Sequence, residues 1–157
     1  MTLSKFLSLA TWNMKCNFEI SKTYLTKLSL QADVILIQEH GLFPCQIPKL
    51  RNVLKDYDGF GRSSSRLKDE DVGNKMGIGG CGILWRKSMS YKVKRHLQEG
   101  SDRICLIELI LKTKRIFIIC VYMPHQSCQI SDFRTELEVL KTMLDKFMPH
   151  GICIVIG

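Results

Sequence analysis

Val34-Ile35-Leu36-Ile37-Gln38-Glu39-His40 is the stretch on which the reading of this chain turns. Four consecutive apolar residues, mostly β-branched, predict a short strand buried on both faces. The run becomes polar at Gln38, Glu39 and His40, and Gly41 closes it. A buried strand that delivers a carboxylate at its C-terminal end can hold a metal or a proton acceptor over a rigid scaffold. Glu39 alone could equally mark the point where the chain meets water. Its reading depends on what the other strands bring beside it.

Working outward, Lys5–Trp12 predicts a first strand that ends at Asn13, and Ser21 can N-cap a helix in which Tyr24, Leu25 and Leu28 share a face. Beyond the central strand, Pro44 and Pro48 bracket a turn, and Leu50, Val53 and Leu54 suggest a short helix before Asp58-Gly59. Arg62–Gly80 is rich in Ser, Gly and charge without apolar period, and reads as a long exposed loop. Cys81–Trp85 restarts the sheet. Tyr91–Leu97 alternates strictly, as a half-exposed strand does, and its lysines discourage edge pairing. Ile104–Leu111 and Ile116–Tyr122 read as a hairpin joined by a basic turn. Ser131 offers an N-cap to a helix with Phe133, Leu137, Leu140, Leu144 and Phe147 on one face, and Pro149 and Gly151 end it. Ile152–Ile156 reads as another doubly buried strand. Strands interleaved with helices, plus a hairpin, predict an α/β layered domain with a mixed sheet.

The 157 residues suit one domain with a real core, and 45% hydrophobic with 24% charged residues excludes disorder. The longest apolar run, Ile116–Met123, is too short to span a bilayer, and no signal-peptide core forms near the N-terminus. The expectation is a soluble intracellular protein, nuclear or cytoplasmic, with no membrane partner. Seven scattered cysteines without a Cys-x-x-Cys pair argue for a reducing compartment and against structural zinc. Between Lys49 and Arg115 there are 16 Lys and Arg against 8 Asp and Glu, so this segment holds the whole net charge of +8. Such an excess suits a surface that meets phosphates, or simply a solvated face.

Three apolar strands end in groups able to handle a metal or a phosphate: Asn13, Glu39, and Tyr122 followed by Pro124 and His125. Ligands gather beyond the carboxyl ends of strands in α/β sheets, so these could converge. Asn13 and Glu39 together suit magnesium, which takes oxygen ligands and keeps several waters. Tyr122 could donate to a phosphate oxygen. The plain alternatives are a turn asparagine, a wet strand-end tyrosine and loop histidines.

Ala10-Thr11-Trp12-Asn13, Gln38-Glu39-His40, Gly79-Gly80-Cys81-Gly82-Ile83-Leu84 and Val121-Tyr122-Met123-Pro124, in that order, resemble the endonuclease/exonuclease/phosphatase superfamily. The similarity is closest to endonuclease domains of non-LTR (LINE-type) retrotransposons. It implies a DNase I-like sandwich of two mixed β-sheets flanked by helices, C-terminally truncated here. It also implies magnesium-dependent phosphodiester cleavage of DNA, with manganese as an alternative ion. Asn13 and Glu39 match the family's metal-binding positions and Tyr122 its active-site tyrosine, so these three are the expected catalytic residues. His125 departs from the asparagine often found after Tyr-x-Pro and is given no role. In the family, the strand equivalent to Ile152–Ile156 runs into Gly-Asp-x-Asn, and a later Ser-Asp-His supplies a histidine; this sequence stops at Gly157. Residues 1–157 are therefore expected to form the N-terminal part of a single domain. DNA would be held through its phosphate backbone, with Arg62, Arg66, Lys68 and Lys75 on the long loop as candidates. The rival readings are a catalytically dead remnant that only binds nucleic acid, and a phosphodiesterase of the same superfamily acting on a lipid or inositol phosphate.

Overall fold

The computed structural model describes residues 6–65, 77–125 and 129–157. Eight strands form two mixed sheets of four. The first sheet contains β1 (Leu9–Asn13), β2 (Val34–Gln38), β3 (Tyr57–Arg62) and β4 (Cys81–Arg86), in the order β1-β2-β4-β3. The second contains β5 (Lys92–Arg95), β6 (Ile104–Ile110), β7 (Arg115–Val121) and β8 (Ile152–Ile156), in chain order. The β1–β2 and β7–β8 pairs are parallel and the other four are antiparallel. Helix α1 (Phe18–Leu28) and a 3-10 helix over Pro44–Asn52 cover the first sheet, and α2 (Ile130–Phe147) covers the second.

Alternation along the strands explains why β2 carries no polar residue before Gln38. Val34 and Leu36 face the second sheet, where they join Ile83, Trp85, Ile107 and Ile118. Ile35 and Ile37 point the other way, onto Phe18 and Leu25 of α1 and Leu50 of the 3-10 helix. All four are fully buried, each worth roughly 1.5–3 kcal/mol of apolar transfer. This fixes the register, since a one-residue slip would exchange the two faces. The strand that delivers Glu39 is thus held from both faces and both edges.

Several elements differ from the sequence expectation. β3 was not expected from the sequence, because Gly59 and Gly61 look like breakers. A Cβ on Gly59 would stand 2.4 Å from the Leu50 carbonyl oxygen, so the glycine permits the 3-10 helix to lie directly on the strand. Helix α1 is capped by Asn17, whose side chain accepts from Ile20 N at 3.3 Å, while Ser21 is buried inside the helix. Helix α2 begins at Ile130 and packs through Val139, Leu140, Met143, Leu144 and Phe147, leaving Phe133 and Leu137 exposed. β8 is an edge strand with Ile152 51% and Val155 39% exposed, not a doubly buried one. Lys92 and Lys94 do point outward on the opposite edge, β5, as the alternation implied.

Beneath α2, Glu108 is only 2% exposed. His96 Nε2–H donates to it at 2.9 Å, with Phe117 and Phe147 packed against the imidazole. Removing one partner of a buried polar pair leaves the other desolvated and unsatisfied. Glu108→Ala should therefore cost about 3–5 kcal/mol in a urea titration. Replacing both residues together by apolar ones of similar volume should recover most of that loss.

Candidate active site

The ends of β1, β2 and β7 meet at one end of the sandwich, and they bring Asn13, Glu39 and Tyr122 together. Asn13 Nδ2 donates to Glu39 Oε1 at 2.6 Å, and Asn13 Oδ1 accepts from Lys15 N at 2.9 Å. The Tyr122 hydroxyl stands beside the Glu39 carboxylate, close enough for that charge to act on it. Burial raises the Tyr122 pKa, and the nearby Glu39 charge raises it further, against an opposing pull from Arg103. Tyr122 is therefore a neutral donor at physiological pH and not a phenolate nucleophile.

The backbone around these side chains is strained. Glu39 adopts φ 50°, with Lys15 at 48° and Cys16 at 56°, a left-handed conformation that costs a non-glycine residue about 1–2 kcal/mol. The strained residues brace one another. Cys16 N donates to Glu39 O at 2.7 Å, and Glu39 N donates to Gly80 O at 2.8 Å. Strain that persists under such bracing is a feature of functional positions. It turns Glu39 out of the strand direction and into the space beside Asn13.

His40 is fully buried beneath this turn. Its Nδ1 accepts from Leu42 N at 3.0 Å, and its Nε2–H donates to Arg62 O at 2.9 Å. Burial lowers its pKa to about 4, so it is a neutral strut. Gly80, at φ +88°, makes room for it, since a Cβ there would fall 2.4 Å from His40 Cε1. Beside it in the inter-sheet core, burial holds the Cys81 and Cys105 thiols well above their ordinary pKa. These thiols serve as small apolar fillers.

Arg103 is a site residue that a sequence reading can only mark as a base preceding a strand. Its guanidinium lies 5.2 Å from the Tyr122 ring centroid and donates to Tyr122 O at 3.4 Å. Tyr122 stands between two open depressions of about 360 and 590 Å³. The first is lined by Thr11, Asn13 and Gln38, and the second by Ser64, Gly79 and Arg103.

Of the four loop cations expected to meet DNA, Arg66, Lys68 and Lys75 lie outside the described residues. Arg62 closes β3, and its guanidinium donates to Leu97 O at 2.6 Å and Glu99 O at 2.8 Å. It ties the first sheet to the β5–β6 connection. His125 is exposed at this end of the molecule.

The donor chemistry suits a hard cation. Glu39 supplies an anionic oxygen, and Asn13 supplies a neutral one once its amide turns over, at the cost of the Lys15 N–H bond. Among the described residues no group of three His, Cys, Asp or Glu could hold a metal, so these residues form a partial ligand set.

Two facing mixed sheets with helices outside, and a carboxylate, an amide and a phenol at the strand ends, define a DNase I-like architecture. The chain belongs to the endonuclease/exonuclease/phosphatase family, whose model matches residues 10–145. No curated protein matches it in sequence. Solved structures do match in fold. The endonuclease domain of TRAS1, a telomere-specific non-LTR retrotransposon, superposes with a TM-score of 0.63 at 15% identity, over 96% of this chain and 57% of that one. TDP2 of D. rerio, complexed with a single-strand DNA product, gives 0.63 at 19%, over 95% and 58%. The 3′ phosphatase NExo from Neisseria, bound to a product DNA hairpin, gives 0.65 at 16%, over 97% and 57%. The chain thus spans less than two thirds of each of these structures. Among the described residues no helix is long and apolar enough to cross a membrane.

Proposed function

We propose that these 157 residues are the N-terminal part of a single retroelement-type endonuclease domain, which cleaves DNA phosphodiesters with magnesium. The observation that carries this reading is the convergence of Asn13, Glu39 and Tyr122 on one point from three separate strands. The similarity in fold to a retrotransposon endonuclease and to two DNA-bound enzymes favours DNA over a lipid or inositol phosphate.

In this reading Asn13 and Glu39 hold the ion, with manganese as a substitute. When bound, it would polarise the phosphate and stabilise the leaving oxyanion. Tyr122, kept protonated, turns its hydroxyl from Glu39 to a phosphate oxygen and so orients the scissile group. Arg103 stacks beneath the Tyr122 ring and adds positive charge on the same side. Arg66, Lys68 and Lys75 remain candidates for holding the DNA backbone, whereas Arg62 acts as a brace because its Nη2 already donates to two main-chain carbonyls.

Among the described residues, no side chain at the site is poised to activate a water: Tyr122 is protonated, and His40 is buried and neutral. General acid–base groups contribute typically ~10²–10⁴-fold. The 157-residue chain should accordingly nick supercoiled plasmid weakly with magnesium. A version extended through Asp-x-Asn and Ser-Asp-His segments should nick strongly. Plasmid relaxation read on agarose, with EDTA as control, is the test. An extended version that binds DNA but never nicks it would favour the dead-remnant reading.

A further inference from the structure

We propose that the end of the sandwich opposite Asn13, Glu39 and Tyr122 is a second binding surface, which grips nucleic acid by its phosphate backbone. The sequence excess of cations does not lie on the long loop, since residues 66–76 hold three Lys and Arg and three Asp and Glu. The rest of the segment between Lys49 and Arg115 keeps 13 cations against 5 acids. Arg62 and Arg103 of these lie at the site end, and Arg62 is committed to main-chain carbonyls.

Strand direction places much of the rest. β3 and β5 start at the far end, β4 and β6 finish there, and β7 departs from it. The junctions at that end carry Lys55, Lys87, Lys92, Lys112, Lys114 and Arg115, all of them exposed. Arg86 and Arg95 lie nearby but already face Asp33 and Asp58, and Arg115 faces Glu108, so the charge of these three is partly neutralised. Lys55, Lys92, Lys112 and Lys114 form no ion pair among the described residues. Lys87 Nζ, held by Lys55 O at 3.1 Å, edges a depression of about 480 Å³ that Trp85 and Tyr91 also line.

This surface is separate from the candidate active site. The seven residues of β7, at about 3.3 Å each, put Arg115 roughly 20 Å from Tyr122. At physiological salt the screening length is about 8 Å, so the two ends act as independent electrostatic sites. Nucleic acid is the favoured partner over an anionic bilayer. A membrane-seated surface needs apolar side chains beside its cations. The exposed Phe6, Leu30 and Ile152 at this end lie before β1, before β2 and at the start of β8, whereas the cationic turns at residues 52–56, 86–92 and 111–115 expose no large apolar side chain.

The test is binding of a short fluorescein-labelled DNA duplex by the whole chain, titrated between about 50 and 200 mM salt. Replacing Lys55, Lys92, Lys112 and Lys114 by Ala should weaken binding by roughly 10²-fold at the low-salt end. The slope of log K against log salt should fall by about 3 to 4. Lys22→Ala with Lys141→Ala, two cations on the helices outside the sheets, should leave affinity and slope nearly unchanged. In the unsubstituted chain, DNA should protect Lys92, Lys112 and Lys114 from acetylation, read by mass spectrometry. Unchanged affinity in the lysine variant, no protection, or an equal loss of binding in the helix variant would each overturn the proposal. So would loss of binding to phosphatidylserine vesicles with DNA affinity intact.

Discussion

Glu39→Ala should cut magnesium-dependent nicking by the extended domain by roughly 10²–10³-fold, the range seen when one preorganised electrostatic contact to the transition state is removed. Glu39 accepts a hydrogen bond from Asn13 and stands beside the Tyr122 hydroxyl. Its removal takes away the charge that attracts a divalent ion and the acceptor that orients Asn13. Asn13→Ala should cost less, because it removes a neutral ligand and leaves the charge in place. A readout independent of catalysis separates ion binding from a folding defect. Magnesium should raise the melting temperature of the unsubstituted chain by mass action and leave that of the Glu39→Ala chain unmoved. Nicking that survives the substitution would remove Glu39 from the chemistry.

The residues that meet at this site are legible in the sequence because each follows an apolar strand, and strand ends are where α/β folds present chemistry. Convergence is a different matter. Asn13 and Glu39 could each have been an ordinary exit from a strand, and only the register of β1 beside β2, with Asn13 opposite Gln38, places them within one hydrogen bond. The left-handed turn at Glu39 is also silent in the sequence, since no glycine stands there to announce it. The same limit hides β3, whose two glycines spell a turn locally but serve close packing under the 3-10 helix. Ile152–Ile156 has the apolar content of a core strand and, among the described residues, pairs on one side only, with β7; strand order is not encoded in periodicity. Cationic character was legible as a sum, and Arg66, Lys68 and Lys75 of the expected contacts lie outside the described residues. Arg62 has the composition of a loop contact and the geometry of a brace.

Acid should loosen the site through His40 before it unfolds the rest of the sandwich. The imidazole has an ordinary pKa of 6.5 and is held at about 4 by burial in the folded chain. Between those values the unfolded chain takes up a proton that the folded chain excludes, so stability falls as pH falls. Above 6.5 the imidazole is neutral in both states and has no effect, and below about 4 its contribution levels off. The full difference corresponds to about 3 kcal/mol, a large share of a small domain's stability. A protonated His40 cannot accept from Leu42 N, and the turn that carries Glu39 against Gly80 loses the ring packed beneath it. Urea midpoints measured from pH 7 down to pH 4 should therefore drop more steeply for the unsubstituted chain than for His40→Gln. That variant should be less stable at pH 7, having lost a fitted buried ring, yet flatter across the acid range. Amide exchange at Glu39 and Leu42 should quicken over the same window. Parallel pH profiles for the two chains would mean that carboxylates elsewhere set the acid limit and that His40 does not couple pH to the site.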